Sequence, residues 1–234
     1  MPVERLETAL YAEHLGYLFS FWDTEATHIP KGSLHLQNVR HLLSELEHPE
    51  NALGAVIHIA GTNGKGSVSA FVERILLAHG LTTFRYTSPH LHTLRERFRQ
   101  NGEVISPKTF CQSLEELRPV LESLEHSEGS PSVFEILTAM GLQLARGSDV
   151  AIFEAGVGGH YDATNVFGGS AAASRTTAVL TRVGLDHTNI LGSTVQQIAQ
   201  DKAQIFCPDR PAFSLESPDI SEVLPLSELQ VNSM

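Results

Sequence analysis

A lysine set among glycines, Gly61-Thr62-Asn63-Gly64-Lys65-Gly66-Ser67, is the sharpest chemical feature of the chain. Glycines let backbone N–H groups crowd a polyphosphate, a helix N-terminus adds partial positive charge, and Lys65 adds a full one. Ser67 or Thr62 can place a hydroxyl near the phosphates or a bound magnesium. The string is not the standard G-x-x-x-x-G-K-[ST], because Ile59 stands at the first glycine position and Gly66 follows the lysine. The bland alternative is a Gly/Asn surface turn with an exposed lysine.

Three more segments carry reactive side chains. Glu154 ends the apolar run before a Gly-rich turn in FEAGVGGHYDATN, where a carboxylate can hold a hard cation through oxygen. Asp186 and His187 follow TAVLTRV in the same position, so they can converge with Glu154 and the glycine loop at one rim of a sheet. Taken alone, His187 reads as a satisfied structural histidine, one of twelve. Ser88 lies in Thr87-Ser88-Pro89-His90, after LTTFRY, and Arg95, Arg97 and Arg99 alternate just beyond it. That cluster is either an anion-binding group or a surface hairpin. Lys202, in QQIAQDKAQIF, reads from its spacing as a solvated helix-face lysine.

These groups need elements to position them. Residues 4–22 read as an amphipathic helix, a turn follows at Pro30-Lys31-Gly32, and Gln37–Leu46 reads as a second helix. Val56–Ala60 is a short β-branched run that delivers the chain into the glycine loop. Ser67 then opens a helix with Val68, Phe71, Val72, Ile75 and Leu76 at helical spacing, and Gly80 stands at its C-terminal cap. Helices are predicted at 109–124, 133–146 and 194–206, and strands at 149–155 and 177–183. This alternation predicts an α/β fold with a mostly parallel sheet flanked by helices. From Ser214 the pattern dissolves into a Ser-, Pro- and acid-rich tail or linker stub, giving units 1–213 and 214–234.

The 234 residues carry 16 basic and 27 acidic side chains, a net charge of −11, which disfavours nucleic acid as a partner. No apolar run is long enough for a membrane span, and the first residues carry acids and no signal-like apolar stretch. Two cysteines, Cys111 and Cys207, form no zinc spacing or disulfide framework, which suits a reducing cytoplasm.

In order, SLHLQNVRHLL, HIAGTNGKGSVSAF, TSPHLHTLRERFRQNGEVIS, SVFEILTAM, FEAGVGGHYDATN, TRVGLDHTNILGSTVQQIAQDKAQIF and PAF resemble the folylpolyglutamate synthase and dihydrofolate synthase family of the Mur ligase superfamily. The match runs over roughly residues 10 to 213. It implies a P-loop NTPase-like Mur ligase central domain and a cytoplasmic, ATP-dependent ligase that joins folate or dihydropteroate to L-glutamate through an acyl phosphate. Carried over by position, Thr62, Asn63, Gly64, Lys65, Gly66 and Ser67 would bind the ATP phosphates. Ser88 and Glu154 would ligate one magnesium (Mg2+) and His187 a second. Lys202 matches the lysine that family members carbamoylate, and so joins Lys65, Glu154 and His187 in the implied catalytic set. Ser132, Val133, Phe134, Glu135, Tyr161, Asp162 and Ala163 match segments that contact the pteroate end of the folate.

The chain departs from the family pattern at His160, where the family's turn has arginine, and at Gln204, where its helix has glycine. Cys207 and Pro208 stand where polar or basic residues are common. The family continues into a C-terminal domain that contributes to the nucleotide and glutamate sites, and that domain is absent from this sequence. Two readings follow: a fragment, the N-terminal ATPase domain of a ligase completed by a separate C-terminal domain, or a natural short nucleotide-binding paralogue with little or no catalysis. A kinase-like ATPase acting on another small acid is a third.

Overall fold

The computed structural model describes residues 3–22, 35–124, 130–207, 209–215 and 230–233. The turn expected at residues 30–32 lies outside them. In chain order the elements are α1 (Val3–Leu18), α2 (Gln37–Glu45), β1 (Ala55–Ala60), α3 (Lys65–Ala78), β2 (Thr83–Tyr86), β3 (Phe98–Gln100), β4 (Glu103–Val104), α4 (Pro107–Leu124), α5 (Val133–Leu144), β5 (Val150–Glu154), β6 (Thr176–Leu180), α6 (Val195–Lys202), β7 (Pro211–Ser214) and β8 (Gln230–Ser233). The strands form one sheet in the order β4-β3-β2-β5-β1-β6-β7-β8. β2, β5, β1, β6, β7 and β8 run parallel, and β3 and β4 form an antiparallel hairpin at one edge.

β1 occupies the centre because its run AVIHIA can be buried on both faces. Ile59 and Ile152 from neighbouring strands pack with Val68, Val72 and Leu76 of α3. Each such aliphatic side chain taken from water adds about 1.5–3 kcal/mol. The opposite face carries a larger core in which Phe84, Tyr86 and Phe153 of the sheet meet Phe110 and Leu114 of α4 and Ile136 and Met140 of α5. Sheet order places the end of β1 between the ends of β5 and β6. The connection through α3 leaves β1 toward β2 on one side, whereas β6 lies on the other. Doubly wound sheets bind ligands in the crevice that such a divergence opens.

Several boundaries differ from those predicted. α3 starts at Lys65, two residues before Ser67, because Gly64 adopts a φ of 92° and closes the loop into the helix. Only part of its apolar stripe is core: Phe71 and Ile75 are 70% and 58% exposed. α6 gives way to a 3-10 turn at Ala203–Ile205. β7 runs to Ser214, one residue past the 213 boundary, and Gln230–Ser233 pair with it from Pro211↔Gln230 to Ser214↔Ser233. Backbone pairing recruits β8, a segment with little apolar patterning of its own, while residues 216–229 lie outside the described residues.

The alternating arginines do not form an anion patch. Arg97 is buried, with its Nε donating to His90 Nδ1 at 3.2 Å. Arg95 donates to Ile105 O at 2.7 Å and lies over the Tyr11 ring, and Arg99 donates to Gly102 O at 2.9 Å. They hold the hairpin and its approach.

Candidate functional site

The glycine loop leaves β1 at its carboxyl end and is stitched to the segment after β6. Thr62 N and Asn63 N both donate to Arg182 O, at 2.8 and 3.2 Å. The Thr62 hydroxyl donates to Gly184 O and accepts from Gly184 N, each at 3.1 Å. Gly61 must be glycine: its φ is 149°, and a Cβ there would collide with the Thr181 hydroxyl. Two of the loop's N–H groups are therefore spent on the β6 rim. Donors for an anion come from the first turn of α3, at Lys65, Gly66 and Ser67. The N-cap residue Gly64 brings these no side-chain acceptor.

Lys65, Glu154 and Lys202 converge here. Lys65 Nζ donates to Gly61 O at 3.1 Å and stands 3.8 Å from Glu154 Oε1. Lys202, only 3% exposed, donates its Nζ to the same Gly61 O at 3.2 Å. Spacing alone makes Lys202 a solvated helix-face lysine, and the structure corrects that: it is buried against the phosphate loop. Burial, and then the neighbouring Lys65, lower its pKa to about 8 against the partial opposition of Asp186, Asp162 and Asp201. Burial likewise raises the Glu154 carboxyl to about 7, although Lys65 and Arg85 pull it down.

Glu154 fits a divalent cation. Its Oε2 is buried and has no hydrogen-bond partner, and a Cβ added at Gly66 would lie only 3.6 Å from that oxygen, so the carboxylate sits directly beneath the loop. Among the described residues no cluster of three or more His, Cys, Asp or Glu could hold a metal. A cation here needs hydroxyl, phosphate or water oxygens beside one carboxylate, which is the habit of magnesium.

Ser88 follows β2, the strand beside β5, and so reaches the same rim. His187 is less closely gathered. It has a φ of 47°, its backbone N–H donates to Asp186 Oδ1 at 2.9 Å, and its exposed ring lies 3.6 Å from Asp186 Oδ2. Its loop springs from the end of β6.

The segments matched to pteroate contacts are partly committed to the fold. Ser132 caps α5: its N and Oγ donate to Glu135 Oε2 at 2.7 and 2.8 Å, and Glu135 N returns a bond to Ser132 Oγ. Val133 and Ala163 are buried. The Phe134 ring presses on Gly156, where a Cβ would come within 2.5 Å of it, so the start of α5 abuts the chain just after Glu154. Tyr161 is half exposed and packs edge-on against His160. Asp162 is buried, accepting from Val157 N at 2.8 Å and from Thr164 N at 3.0 Å. The Thr164 hydroxyl donates to Asp162 Oδ1 and meets His58 Nε2 at 2.8 Å. Burial lowers the His58 pKa to about 3, so the ring is neutral.

Asp201 is a positioning group that sequence reasoning passed over. Its Oδ1 accepts from Gly159 N at 2.9 Å and His160 N at 3.5 Å, which ties α6 to the glycine turn after Glu154. The paired glycines Gly158-Gly159 were the available signal, since side chains there would strike Asp201 and Lys202. Asn165 adds a second tie, donating from Nδ2 to His160 O and Gln204 O, both at 3.2 Å. The outer face of α6 borders an open cleft of about 640 Å³ whose walls include His160, Thr188, Leu191, Gln200 and Gln204. Two of the departures from the family pattern, His160 and Gln204, thus line one cleft.

Comparison with known proteins agrees with this geometry. Residues 59–212 match the Mur ligase middle domain. The mitochondrial folylpolyglutamate synthase of Cricetulus griseus is 40% identical over 168 residues, covering 70% of this chain and 28% of the relative. The dihydrofolate synthase/folylpolyglutamate synthase of Bacillus subtilis is 40% identical over 174 residues, covering 73% and 39%. Among solved structures, an FPGS complex with AMPPCP and folate superposes with a TM-score of 0.83 at 31% identity, covering 95% of this chain and 53% of that one. The Mycobacterium tuberculosis folylpolyglutamate synthase with ADP gives 0.81 at 32%, covering 97% and 50%. The chain spans under two fifths of the length of those two curated relatives and about half of the solved chains. With the match covering most of the sheet and the whole glycine-loop rim, the chain belongs to the Mur ligase family through its middle domain.

Proposed function

We propose that this chain is the ATP-binding part of a cytoplasmic ligase that joins folate, or dihydropteroate, to L-glutamate. The observation that carries the reading is the meeting of Lys65, Lys202 and Glu154 around the Gly61 peptide at the rim of the sheet. Likeness to enzymes named for folylpolyglutamate synthesis, one of them solved with AMPPCP and folate, supplies the substrate class. The two free cysteines, both buried, accord with a reducing compartment. No helix among the described residues is long and apolar enough to cross a membrane.

In this reading the substrate carboxylate attacks the γ-phosphorus of ATP, giving an acyl phosphate and ADP. The amine of L-glutamate then attacks the acyl carbon and expels inorganic phosphate. Lys65 and the first N–H groups of α3 bind and orient the phosphates. Glu154 would hold magnesium, with Ser88 as a second oxygen ligand, and His187 would hold a second ion. Magnesium, when bound, neutralises charge on the transferring phosphoryl group. Lys202, once carbamoylated, becomes an anion facing the same rim. Tyr161 and the packed start of α5 form the wall against which the pteroate rings lie. Residues 1–213 provide this ATP site, and a C-terminal domain closes it over glutamate and excludes water from the acyl phosphate.

A magnesium–ATP titration followed by dihydropteroate tests the reading. Phosphate release should depend on dihydropteroate or folate and rise when a glutamate-binding C-terminal domain is supplied. Equal ATP hydrolysis with any small carboxylate removes the folate assignment. ATP binding without release under any condition favours the non-catalytic module.

A further inference from the structure

Behind the phosphate loop, on the α3 side of the sheet, lies a buried ion pair that the proposed reaction does not use. Arg85 Nε donates to Glu73 Oε2 at 2.8 Å, with the two side chains 12% and 3% exposed. Arg85 Nη1 reaches Ser69 Oγ at 3.4 Å, and Ser69 Oγ donates to Gly66 O at 2.8 Å. A continuous chain therefore runs from β2 through a guanidinium and a hydroxyl to a backbone carbonyl of the phosphate loop.

The surroundings make this arrangement informative. Neighbouring positions on the same face of α3, Val68, Val72 and Leu76, pack against the sheet with aliphatic side chains. An apolar pair at 73 and 85 would fill the space with no loss of stability, because burying a guanidinium and a carboxylate costs about what their attraction returns. It could not grip Ser69. Glu73 Oε1 remains buried without a partner, a further cost of having charge here.

Register shows what the grip controls. Arg85 stands opposite Ile152, two residues before Glu154 on the same face of β5. Ser88 lies three residues beyond Arg85, at the rim, and Gly66 lies directly over the Glu154 carboxylate. We propose that Arg85, braced by Glu73 and acting through Ser69, is a positioning residue. It fixes the separation between the Glu154–Ser88 rim and the Gly66–Ser67 N–H donors, so that a divalent cation held at the rim meets a phosphate held by α3. This rests on the nucleotide-binding reading above, and it predicts that the strut matters when cation and phosphate are bound together.

Three variants test it with ATP as the probe, with and without magnesium. Ser69→Ala cuts the link to Gly66 while leaving the ion pair. The double variant Arg85→Leu/Glu73→Leu removes the charges together, so that neither is left buried alone. Each should keep the wild-type fold by circular dichroism and weaken magnesium–ATP binding about fivefold, the worth of one hydrogen bond, with a smaller loss when magnesium is chelated. Arg85→Lys, which keeps the charge but cannot fork to Glu73 and Ser69, should fall with them. Folded variants with wild-type magnesium–ATP affinity, or with equal losses in both conditions, overturn the proposal. If the wild-type chain binds no ATP, the nucleotide reading fails first, and the strut is then judged by amide hydrogen exchange over residues 64–69. Faster exchange in Ser69→Ala upholds it, and unchanged exchange refutes it.

Discussion

Lys65 and Lys202 donate to one oxygen, the carbonyl of Gly61, at 3.1 and 3.2 Å. One lysine comes from the first residue of α3 and the other from the last residue of α6. Two ammonium groups on one neutral acceptor repel each other, and Glu154, 3.8 Å from Lys65, offsets only part of that repulsion. A polyphosphate entering at the start of α3 would draw Lys65 away and leave the Gly61 carbonyl to Lys202. The rim is thus arranged so that an anion relieves a conflict already present.

Replacing Lys65 with Ala removes the one lysine at the start of α3. Nucleotide affinity should fall by at least about tenfold, as expected when a charged hydrogen bond to phosphate is lost. The fold should persist, because the side chain's one hydrogen bond, to Gly61 O, lies within its own loop and its contact with Glu154 is a long one of 3.8 Å. Calorimetric titration with ATP and magnesium reads the change. Unaltered affinity would remove the loop from the site.

For Lys202 the chemistry follows from its pKa of about 8. A neutral amine is the form that adds carbon dioxide, and an ordinary lysine at the same pH is almost wholly protonated. With isotopically labelled bicarbonate, a protein carbamate resonance should grow as the pH rises through about 8 and be missing in Lys202→Ala. A signal that persists in that variant belongs to another amine.

The glycine loop and Glu154 were legible in the sequence because each sits at the end of an apolar run, where chain direction alone delivers it to the rim. Lys202 was not legible from spacing. Its burial depends on how α6 packs over Gly158-Gly159, a contact between segments some forty residues apart. Arg97 failed for a related reason: alternation in RERFRQ suggests a solvated hairpin, yet the 3-10 turn ahead of β3 rotates Arg97 inward to His90. Phe71 and Ile75 had the right period for the core, but the sheet covers only the side of α3 that carries Val68, Val72 and Leu76. Local pattern identifies elements, whereas the register between them decides which faces meet.

Glu154 should set function and stability against each other. Its carboxyl is raised from 4.5 to about 7, chiefly by burial. The folded chain therefore holds a proton that the unfolded chain has released, so stability present below pH 4.5 is lost as pH rises through about 7. Glu154→Gln does not titrate, and its melting temperature should exceed the wild type's by more at about pH 8 than at about pH 4. Magnesium-dependent ATP binding should run the other way, strengthening as the wild-type carboxyl ionises and vanishing in the variant. A pH-independent stability difference would show that Glu154 is not the titrating group.

Gly159 offers a test of the tie between the turn and α6. Its N–H donates to Asp201 Oδ1 at 2.9 Å, and a Cβ would stand 2.6 Å from Lys202 O and 2.8 Å from Asp201 O. Both obstacles are backbone, so Gly159→Ala must push the end of α6 outward, and Lys202 Nζ moves away from Gly61 O with it. The cost should be about 1–3 kcal/mol, typical of overpacking a closed contact. Gly168→Ala, with no atom within 4 Å of its Cβ, is the matched control and should change stability by about 0.5 kcal/mol or less. Urea denaturation measures both, and the Gly159 variant should also lose ATP affinity in proportion to the displacement of Lys202. Equal stabilities for the two variants would mean that α6 yields freely at this contact, and the placement of Lys202 would then need another support.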